Sequence, residues 1–252
     1  GKGYFKPAKT ISIDGRLKKS EVNKNISTVK QIILEVTEDC NLDCTYCTYS
    51  KFYINKKRTN RYLRFEDVRF TLTNLLKRRT PSKDNPIVLS FYGGEPLKNF
   101  QFIKAVVDFT KEYTKSGYSF RYSLSSNGLL LKKYSSFLVE NDFEISISLD
   151  GDEEANAFRV TKNNSPSYKI VTSNLDYVRD NFPEYFDKNL SFLTVLHRRN
   201  SFRSIYDFFE KRYGKIPMIS DVNPVNLNPE HKKEFNDKIR PQRPSAEEEA
   251  LV

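Results

Sequence analysis

Hydrophobic positions along the chain follow two different spacings, one typical of strands and one typical of helices. Alternation and short apolar runs predict six strands, at about residues 31–37, 87–91, 118–124, 143–149, 190–196 and 216–219. Helical spacing predicts helices between these strands, at about 65–79, 102–117, 130–140, 165–178 and 201–213. Since strands and helices alternate, the pattern predicts an α/β fold with a parallel sheet and right-handed crossovers.

Several helix boundaries carry recognisable end signals. Ser165 and Pro166 form an N-cap and first-turn pair, and Ser201 opens the last helix, which Gly214 ends. Pro217 weakens the sixth strand, because proline cannot donate a hydrogen bond to a neighbouring strand.

Both ends of the chain depart from the alternating pattern. Isoleucines alternate with polar residues ahead of Asp14-Gly15, which predicts a β-hairpin over residues 10–17. Residues 223–252 are rich in Asn, Pro and charged residues, so we expect a flexible tail or a short surface helix. The predicted division is an N-terminal hairpin and extension (1–30), a β/α domain (31–222) and a polar C-terminal tail (223–252).

The three cysteines of the chain lie within eight positions, directly after the first predicted strand. They are Cys40, Cys44 and Cys47. Three thiolates on one short loop can bind three irons of a cubic iron–sulfur cluster and leave the fourth iron open for chemistry. A zinc site would need a fourth N or S ligand, but His197 and His231 are distant in sequence. A ferredoxin would need a fourth cysteine, and an odd count argues against a disulfide framework, so zinc or an inactive remnant is the less favoured alternative.

Composition limits the partners and the location of the protein. The 252 residues include 42 Lys and Arg against 32 Asp and Glu, and the net charge of +10 favours anionic partners such as an acidic peptide segment. The basic residues are spread along the chain without a nucleic-acid-binding motif, so nucleic acid is the less favoured partner. No apolar run approaches the ~18 residues of a membrane span, and we see no secretory signal, so we expect a cytoplasmic protein with reduced thiols.

The segment LEVTEDCNLDCTYC resembles the cysteine loop of the radical S-adenosylmethionine (SAM) superfamily. Its sequence is similar to that of the branch with SPASM or Twitch extensions, which modifies peptides and proteins. The resemblance implies a partial (β/α)6 barrel and a [4Fe-4S] cluster whose open iron binds the amino nitrogen and carboxylate of SAM. One electron, from a donor such as flavodoxin or ferredoxin, would then cleave SAM to a 5′-deoxyadenosyl radical that abstracts hydrogen from the substrate. Members of that branch normally carry further cysteines after the barrel for auxiliary clusters, and this sequence has none there.

Motifs after the second and third predicted strands resemble SAM-contacting elements of this family. Gly93, Gly94 and Glu95 resemble the GGEP element, whose backbone faces the methionine amino end of SAM. Ser126 and Asn127 resemble a Thr-Asn-Gly motif that approaches the cofactor. Tight turns and helix caps are the alternative explanation for both motifs.

Residues after the fourth predicted strand complete the implied SAM site. Ser148, Asp150 and Arg159 resemble residues that contact the ribose and carboxylate of SAM, and a guanidinium can bind a carboxylate through two N–H groups. The His-Asp pair that often precedes this arginine in relatives is replaced by Ala155-Asn156.

Residues beside the cysteines and after the fifth predicted strand are further candidates. By resemblance, Tyr46 and Tyr49 line the adenine side of the site, and core packing is the alternative. His197, Arg198 and Asn200 follow the fifth strand and face the same rim, where a structural role for His197 is the more common case.

These motifs predict a radical SAM enzyme that modifies a peptide or protein, in the manner of a maturase for a ribosomally made peptide. One alternative is a radical SAM enzyme acting on tRNA, a nucleotide or a cofactor precursor. Another is a non-catalytic scaffold that binds a cluster, or a fragment. No residue is assigned as the second proton or electron donor.

Overall fold

Six parallel strands pair in chain order to form one open sheet. The computed structural model describes residues 18–54 and 58–242. The strands are β1 (Gln31–Thr37), β2 (Ile87–Gly93), β3 (Phe120–Ser126), β4 (Glu144–Ser148), β5 (Leu190–Leu196) and β6 (Met218–Asp221). The order is β1-β2-β3-β4-β5-β6, and β1 and β6 are its free edges. The predicted α/β fold with a six-stranded, partial barrel sheet is confirmed.

Helices connect successive strands and cover one side of the sheet, and one further helix lies before β1 and one after β6. They are α1 (Lys19–Ser27), α2 (Phe65–Arg78), α3 (Phe100–Thr114), α4 (Leu131–Glu140), α5 (Tyr168–Asn181), α6 (Pro183–Asn189), α7 (Phe202–Tyr213) and α8 (Lys232–Lys238). Short 3-10 turns lie at Pro96–Asn99, Ala155–Phe158 and Pro229–His231. None of the helices in the described ranges is long and apolar enough to cross a membrane.

Helix α5 begins two residues later than the predicted N-cap pair implies, and the proposed Ser165 N-cap is wrong. Pro166 forms an isolated bridge with Val160, so this part of the chain is a loop and the N-cap is Ser167. The Ser167 hydroxyl donates to the carbonyl oxygen of Arg159 at 2.5 Å. The segment therefore folds back and holds the backbone at Arg159. At the start of α7 the prediction is confirmed, since Ser201 accepts a hydrogen bond from the Ser204 N–H.

The main hydrophobic core lies between the sheet and the helices. Alternate strand residues point into it and are buried, among them Val36, Leu89, Phe91, Leu124, Ile145 and Phe192. The other face of the sheet carries small hydroxyl side chains, with Ser90 and Ser123 2.6 Å apart and Ser146 and Ser191 2.9 Å apart between their Oγ atoms. The first face therefore holds the fold together, and the second, open face is less buried and carries polar side chains among apolar ones such as Ile33.

A second hydrophobic cluster joins the cysteine loop to the chain after β6. Its buried members are Phe52, Tyr53, Phe158, Val222, Phe235 and Ile239. Two backbone hydrogen bonds accompany it, from Ile54 to Asn226 at 2.9 Å and from Asn228 to Phe52 at 2.8 Å. Helix α8, inside the predicted polar tail, thus packs against the cysteine loop through the buried Phe235 ring.

The remaining predictions for the chain ends fall outside the described residues. The hairpin at residues 10–17 and the tail residues 243–252 are not among them. The three-part division at 1–30, 31–222 and 223–252 stays a prediction.

Candidate functional site

The cysteine loop leaves β1 and is held by the segment that follows β4. The Asp43 N–H donates to the Val160 carbonyl at 2.7 Å, and the Thr45 N–H donates to the Phe158 carbonyl at 2.9 Å. The cysteine thiols are free; Cys40 is buried, and Cys44 and Cys47 are half-buried. The loop therefore has a defined position at the carboxyl ends of the strands, where barrels of this type place their chemistry.

Three N–H groups approach the sulfur atoms of this loop. The Leu42 N–H and the Asn127 side-chain amide donate to Cys40 Sγ at 3.4 Å and 3.6 Å. Arg58 Nη2 donates to Cys47 Sγ at 3.2 Å. Such donors stabilise negative charge on sulfur, which a thiolate bound to iron carries.

The thiols suit an iron–sulfur cluster better than a single metal ion. Within the described ranges, no three His, Cys, Asp or Glu side chains converge on one ion position. A cubic cluster does not need this convergence, because each iron takes one thiolate. Burial raises the pKa of Cys40, and it raises the pKa of Cys44 to about 12, so both thiols are protonated at neutral pH without metal. Iron binding would release these protons.

Gly93 and Gly94 let the loop after β2 lie directly against the start of the cysteine loop. Gly93 has a φ of +136°, and a Cβ there would be 2.2 Å from the Thr37 carbonyl oxygen. A Cβ at Gly94 would be 2.2 Å from the Asp39 carbonyl oxygen, and the Gly94 N–H donates to Thr37 at 2.6 Å. The protein backbone thus requires both glycines, and their contact with SAM stays a prediction.

Glu95, Ser126 and Asn127 are brought together as predicted, but they bind one another. The fully buried Glu95 carboxylate accepts from Ser126 Oγ at 2.9 Å, from the Asn127 N–H at 2.8 Å and from the Leu97 N–H at 3.1 Å. Burial raises the pKa of Glu95 to about 7, although these donors oppose the shift. The Asn127 amide also donates to Asn41 Oδ1 at 2.7 Å, so this network connects β2 and β3 to the cysteine loop.

Asp150 lies at the centre of a second buried network, after β4. Arg159 binds it through Nε and Nη2, each 2.9 Å from a carboxylate oxygen, and the Val195 N–H donates at 3.0 Å. The Tyr46 hydroxyl, one residue before Cys47, donates to the same carboxylate. Burial alone would raise the pKa of Asp150, but the Arg159 charge outweighs it and holds that pKa well below its usual range.

His197 belongs to this network and has a larger part in the site than its sequence context indicates. It is fully buried, and its Nε2 lies 3.5 Å from Asp150 Oδ2. The Arg199 N–H donates to His197 Nδ1 at 3.1 Å, so Nδ1 is an acceptor and Nε2 is the ring nitrogen that faces Asp150. The ring packs on Tyr46, with centroids 5.6 Å apart.

Asn200, Asn156 and Arg198 support the same strand ends. The Asn200 amide donates to the Asp150 carbonyl at 3.0 Å, and the Asp150 N–H donates to Asn156 Oδ1 at 3.2 Å. Arg198 contributes its backbone N–H, which donates to the Ile239 carbonyl at 2.9 Å.

Tyr49 and Ser148 are less constrained than the other predicted cofactor contacts. Both are half-buried, and neither hydroxyl forms a hydrogen bond within the described part of the chain. The Tyr49 ring lies under the Arg58 guanidinium, 5.2 Å from its central carbon. Burial and nearby acidic side chains raise the pKa of Tyr49, so its hydroxyl stays protonated.

Asp39 and Arg58 are site residues that sequence reasoning missed. Asp39, directly before Cys40, is buried and accepts from Tyr62 at 2.6 Å, from Lys162 at 2.8 Å and from Lys98. Burial opposes ionisation of Asp39, but the two lysines hold its pKa well below the usual range. The only sequence signal for Asp39 was its position directly before a cysteine. No sequence signal marked Arg58, which lies eleven positions after Cys47.

One family model matches the part of the chain that contains most of these site elements. The family model of the radical SAM superfamily matches residues 34–211. A cysteine-type anaerobic sulfatase-maturating enzyme from Clostridium novyi is 27% identical over 230 residues, which cover 85% of this chain and 59% of that protein. A radical SAM cyclopropyl synthase from Paramaledivibacter caminithermalis is 25% identical over 220 residues, which cover 82% of this chain and 44% of that protein.

Solved structures show the same fold. The chain superposes on anSMEcpe with bound AdoMet with a TM-score of 0.64 and 22% identity, over 77% of this chain and 51% of that one. For anSMEcpe with bound AdoMet and the Cp18Cys peptide the TM-score is 0.62, with 22% identity over 76% and 50% of the two chains. This chain therefore spans about half the length of the structures and curated relatives that it matches.

Proposed function

The chain belongs to the radical SAM superfamily, and from this membership we propose that it is an enzyme that modifies a peptide or protein. Its cofactors are S-adenosylmethionine and a [4Fe-4S] cluster, which the superfamily match supports. When bound, the cluster supplies the electron that cleaves SAM to methionine and a 5′-deoxyadenosyl radical.

The observation that carries this proposal is the position of the cysteine loop. Its three free thiols follow β1, and two buried networks connect the loop to the ends of β2, β3, β4 and β5. The loop is therefore preorganised for a group that three thiolates hold, with N–H donors already directed at Cys40 and Cys47.

We assign different roles to the candidate SAM residues according to their contacts. Tyr49 and Ser148 have hydroxyls without protein partners in the described ranges, and we propose them, with the Gly93-Gly94 backbone, for direct contact with SAM. Residues whose polar groups already bind one another would position the cysteine loop and strand ends instead. They are Tyr46, Glu95, Ser126, Asn127, Asp150 and Arg159.

Three features support a peptide as the substrate. Relatives that match most of this chain are sulfatase-maturating enzymes, and one related structure contains a peptide. The open face of the sheet carries hydroxyls that can bond to a peptide main chain, and Tyr92 there is 57% exposed. The net charge of +10 suits an acidic peptide segment.

The electron donor of the proposed enzyme would be a flavodoxin or a ferredoxin.

The test of the chemistry is anaerobic cluster reconstitution followed by addition of dithionite and SAM. We expect 5′-deoxyadenosine to form with the wild-type protein and to be lost in Cys44→Ala. Equal amounts from the two proteins would overturn the proposed enzyme.

The substrate class is tested by adding separated peptide and RNA pools to the same reaction. We expect the peptide pool to stimulate 5′-deoxyadenosine formation and to contain a product of altered mass. Stimulation by RNA alone would assign the activity to a nucleic acid instead.

A further inference from the structure

The side chain of Arg58 contacts the third cysteine of the loop directly. Its Nη2 donates to Cys47 Sγ at 3.2 Å, and its Nη1 donates to the Leu42 carbonyl at 2.8 Å. We propose that Arg58 sets the reduction potential of the cluster by placing a fixed positive charge and an N–H donor against the Cys47 sulfur. This inference rests on the proposed function, since it requires a cluster on these cysteines.

Two contacts besides the one to Cys47 hold Arg58 in this position. The central carbon of its guanidinium lies 5.2 Å from the centroid of the Tyr49 ring, and its Nη1 is held by the Leu42 carbonyl. The Nε atom is buried and has no hydrogen-bond partner within the described ranges. Because a guanidinium remains charged at all relevant pH values, the charge beside Cys47 is permanent.

The charge of Arg58 is not neutralised in the way that the charge of Arg159 is. Arg159 is the other guanidinium that acts on these thiols, and it is paired with Asp150 through two hydrogen bonds. The salt bridges of the described residues include none to Arg58. Within the described part of the chain, no carboxylate therefore forms a direct ion pair with Arg58, as Asp150 does with Arg159.

A cation in contact with a sulfur ligand favours the form of the cluster with more negative charge. Reduction adds one electron, taken from a low-potential donor that loses one, and no bond forms or breaks at Cys47. Hydrogen bonds to the sulfur ligands and net charge are the terms that move cluster potentials. Arg58 supplies both on one ligand, so it should make the cluster easier to reduce.

The experiment compares Arg58→Gln with Arg61→Gln after anaerobic reconstitution. Arg61 is exposed, lies three residues away and loses the same charge, so it is a matched control. Iron and sulfide are measured first, and proteins of equal loading are then titrated potentiometrically with detection by electron paramagnetic resonance, without SAM. We expect Arg58→Gln to lower the equilibrium constant for reduction at least tenfold, about 59 mV for one electron. Arg61→Gln should titrate as wild type.

Each outcome either supports or overturns the inference. Equal midpoints for Arg58→Gln and wild type at equal loading would overturn it, and so would an equal shift in Arg61→Gln. If Arg58→Gln binds less iron, the midpoint of its loaded fraction is still measured, because only loaded protein gives the electron paramagnetic resonance signal. Arg58→Lys keeps the charge and loses the two-pronged donor, so its midpoint should lie between those of wild type and Arg58→Gln, and a midpoint as low as that of Arg58→Gln would overturn the role of the charge. Failure of the proposed function would show instead as absent iron or absent 5′-deoxyadenosine in the wild type.

Discussion

Arg159 binds Asp150 through two parallel hydrogen bonds of 2.9 Å, and both side chains are buried. The family resemblance implied that Arg159 contacts SAM, but its Nε and Nη2 are already bound to Asp150 in this structure. The pair also holds Tyr46 of the cysteine loop and the Val195 backbone of β5. It therefore connects the loop after β1 with two distant strands.

Removing one partner of this pair should be strongly destabilising. Arg159→Met leaves the Asp150 charge buried and unpaired, and we expect the free energy of unfolding to fall by about 3–5 kcal/mol in urea denaturation. Lys104→Met is the control, since Lys104 and Asp108 form an exposed pair and the expected loss is about 0.5 kcal/mol or less. Equal losses of unfolding free energy in the two variants would contradict the predicted stabilisation by the buried pair.

The buried Glu95 carboxyl should give stability a defined pH dependence. Burial raises its pKa from the ordinary value of 4.5 to about 7. Between these values the folded state holds a proton that the unfolded state has released, so the free energy of unfolding falls as pH rises. From pH 5 to 8 wild type should lose on the order of 3 kcal/mol relative to Glu95→Gln.

The measurement for Glu95 is urea denaturation of both proteins at several pH values. Glu140→Gln is the control, because Glu140 is exposed at the end of α4. Parallel pH profiles for wild type and Glu95→Gln would contradict the expected titration.

Adding one methyl group at Gly94 should disturb the cysteine loop. The new Cβ would lie 2.2 Å from the Asp39 carbonyl oxygen, so the backbone directly before Cys40 must move. We expect Gly94→Ala to bind severalfold less iron after reconstitution. Gly214→Ala tests whether a strained glycine site alone has this effect, since Gly214 has a φ of +61° but open space around it. Iron loading as in wild type for Gly94→Ala would refute the close-approach argument.

Helix α8 should stabilise the cysteine loop through Phe235. This ring is fully buried, and its centroid lies 5.6 Å from that of Phe52 and 5.9 Å from that of Tyr53. Phe235→Ala should cost about 3–5 kcal/mol and increase amide exchange in residues 44–54. Phe202→Ala, at a 58% exposed position, should change neither quantity appreciably. Unchanged exchange in residues 44–54 would indicate that α8 does not support the loop.

The order and type of the main elements follow from local patterns in the amino-acid sequence. Six strands and five of the helices were predicted within a few residues, because alternation and helical spacing are local properties of the chain. The cysteine spacing and the strand-end motifs were also local, so the cluster loop and the residues around it could be located in advance. The late start of α5 was missed because the bridge between Pro166 and Val160 is a contact, which spacing does not record.

The partner of each site residue, in contrast, depends on contacts between distant parts of the chain. Asp150 meets Tyr46 across 104 positions, and Asn127 meets Cys40 across 87, so no local pattern could pair them. The polar composition of residues 223–252 gave no sign that Phe235 is buried, because one aromatic side chain hardly changes the mean hydropathy of a segment. Charge pairing and burial arise when loops from separate strands converge, and these contacts distinguish residues free to bind a cofactor from those that hold the site together.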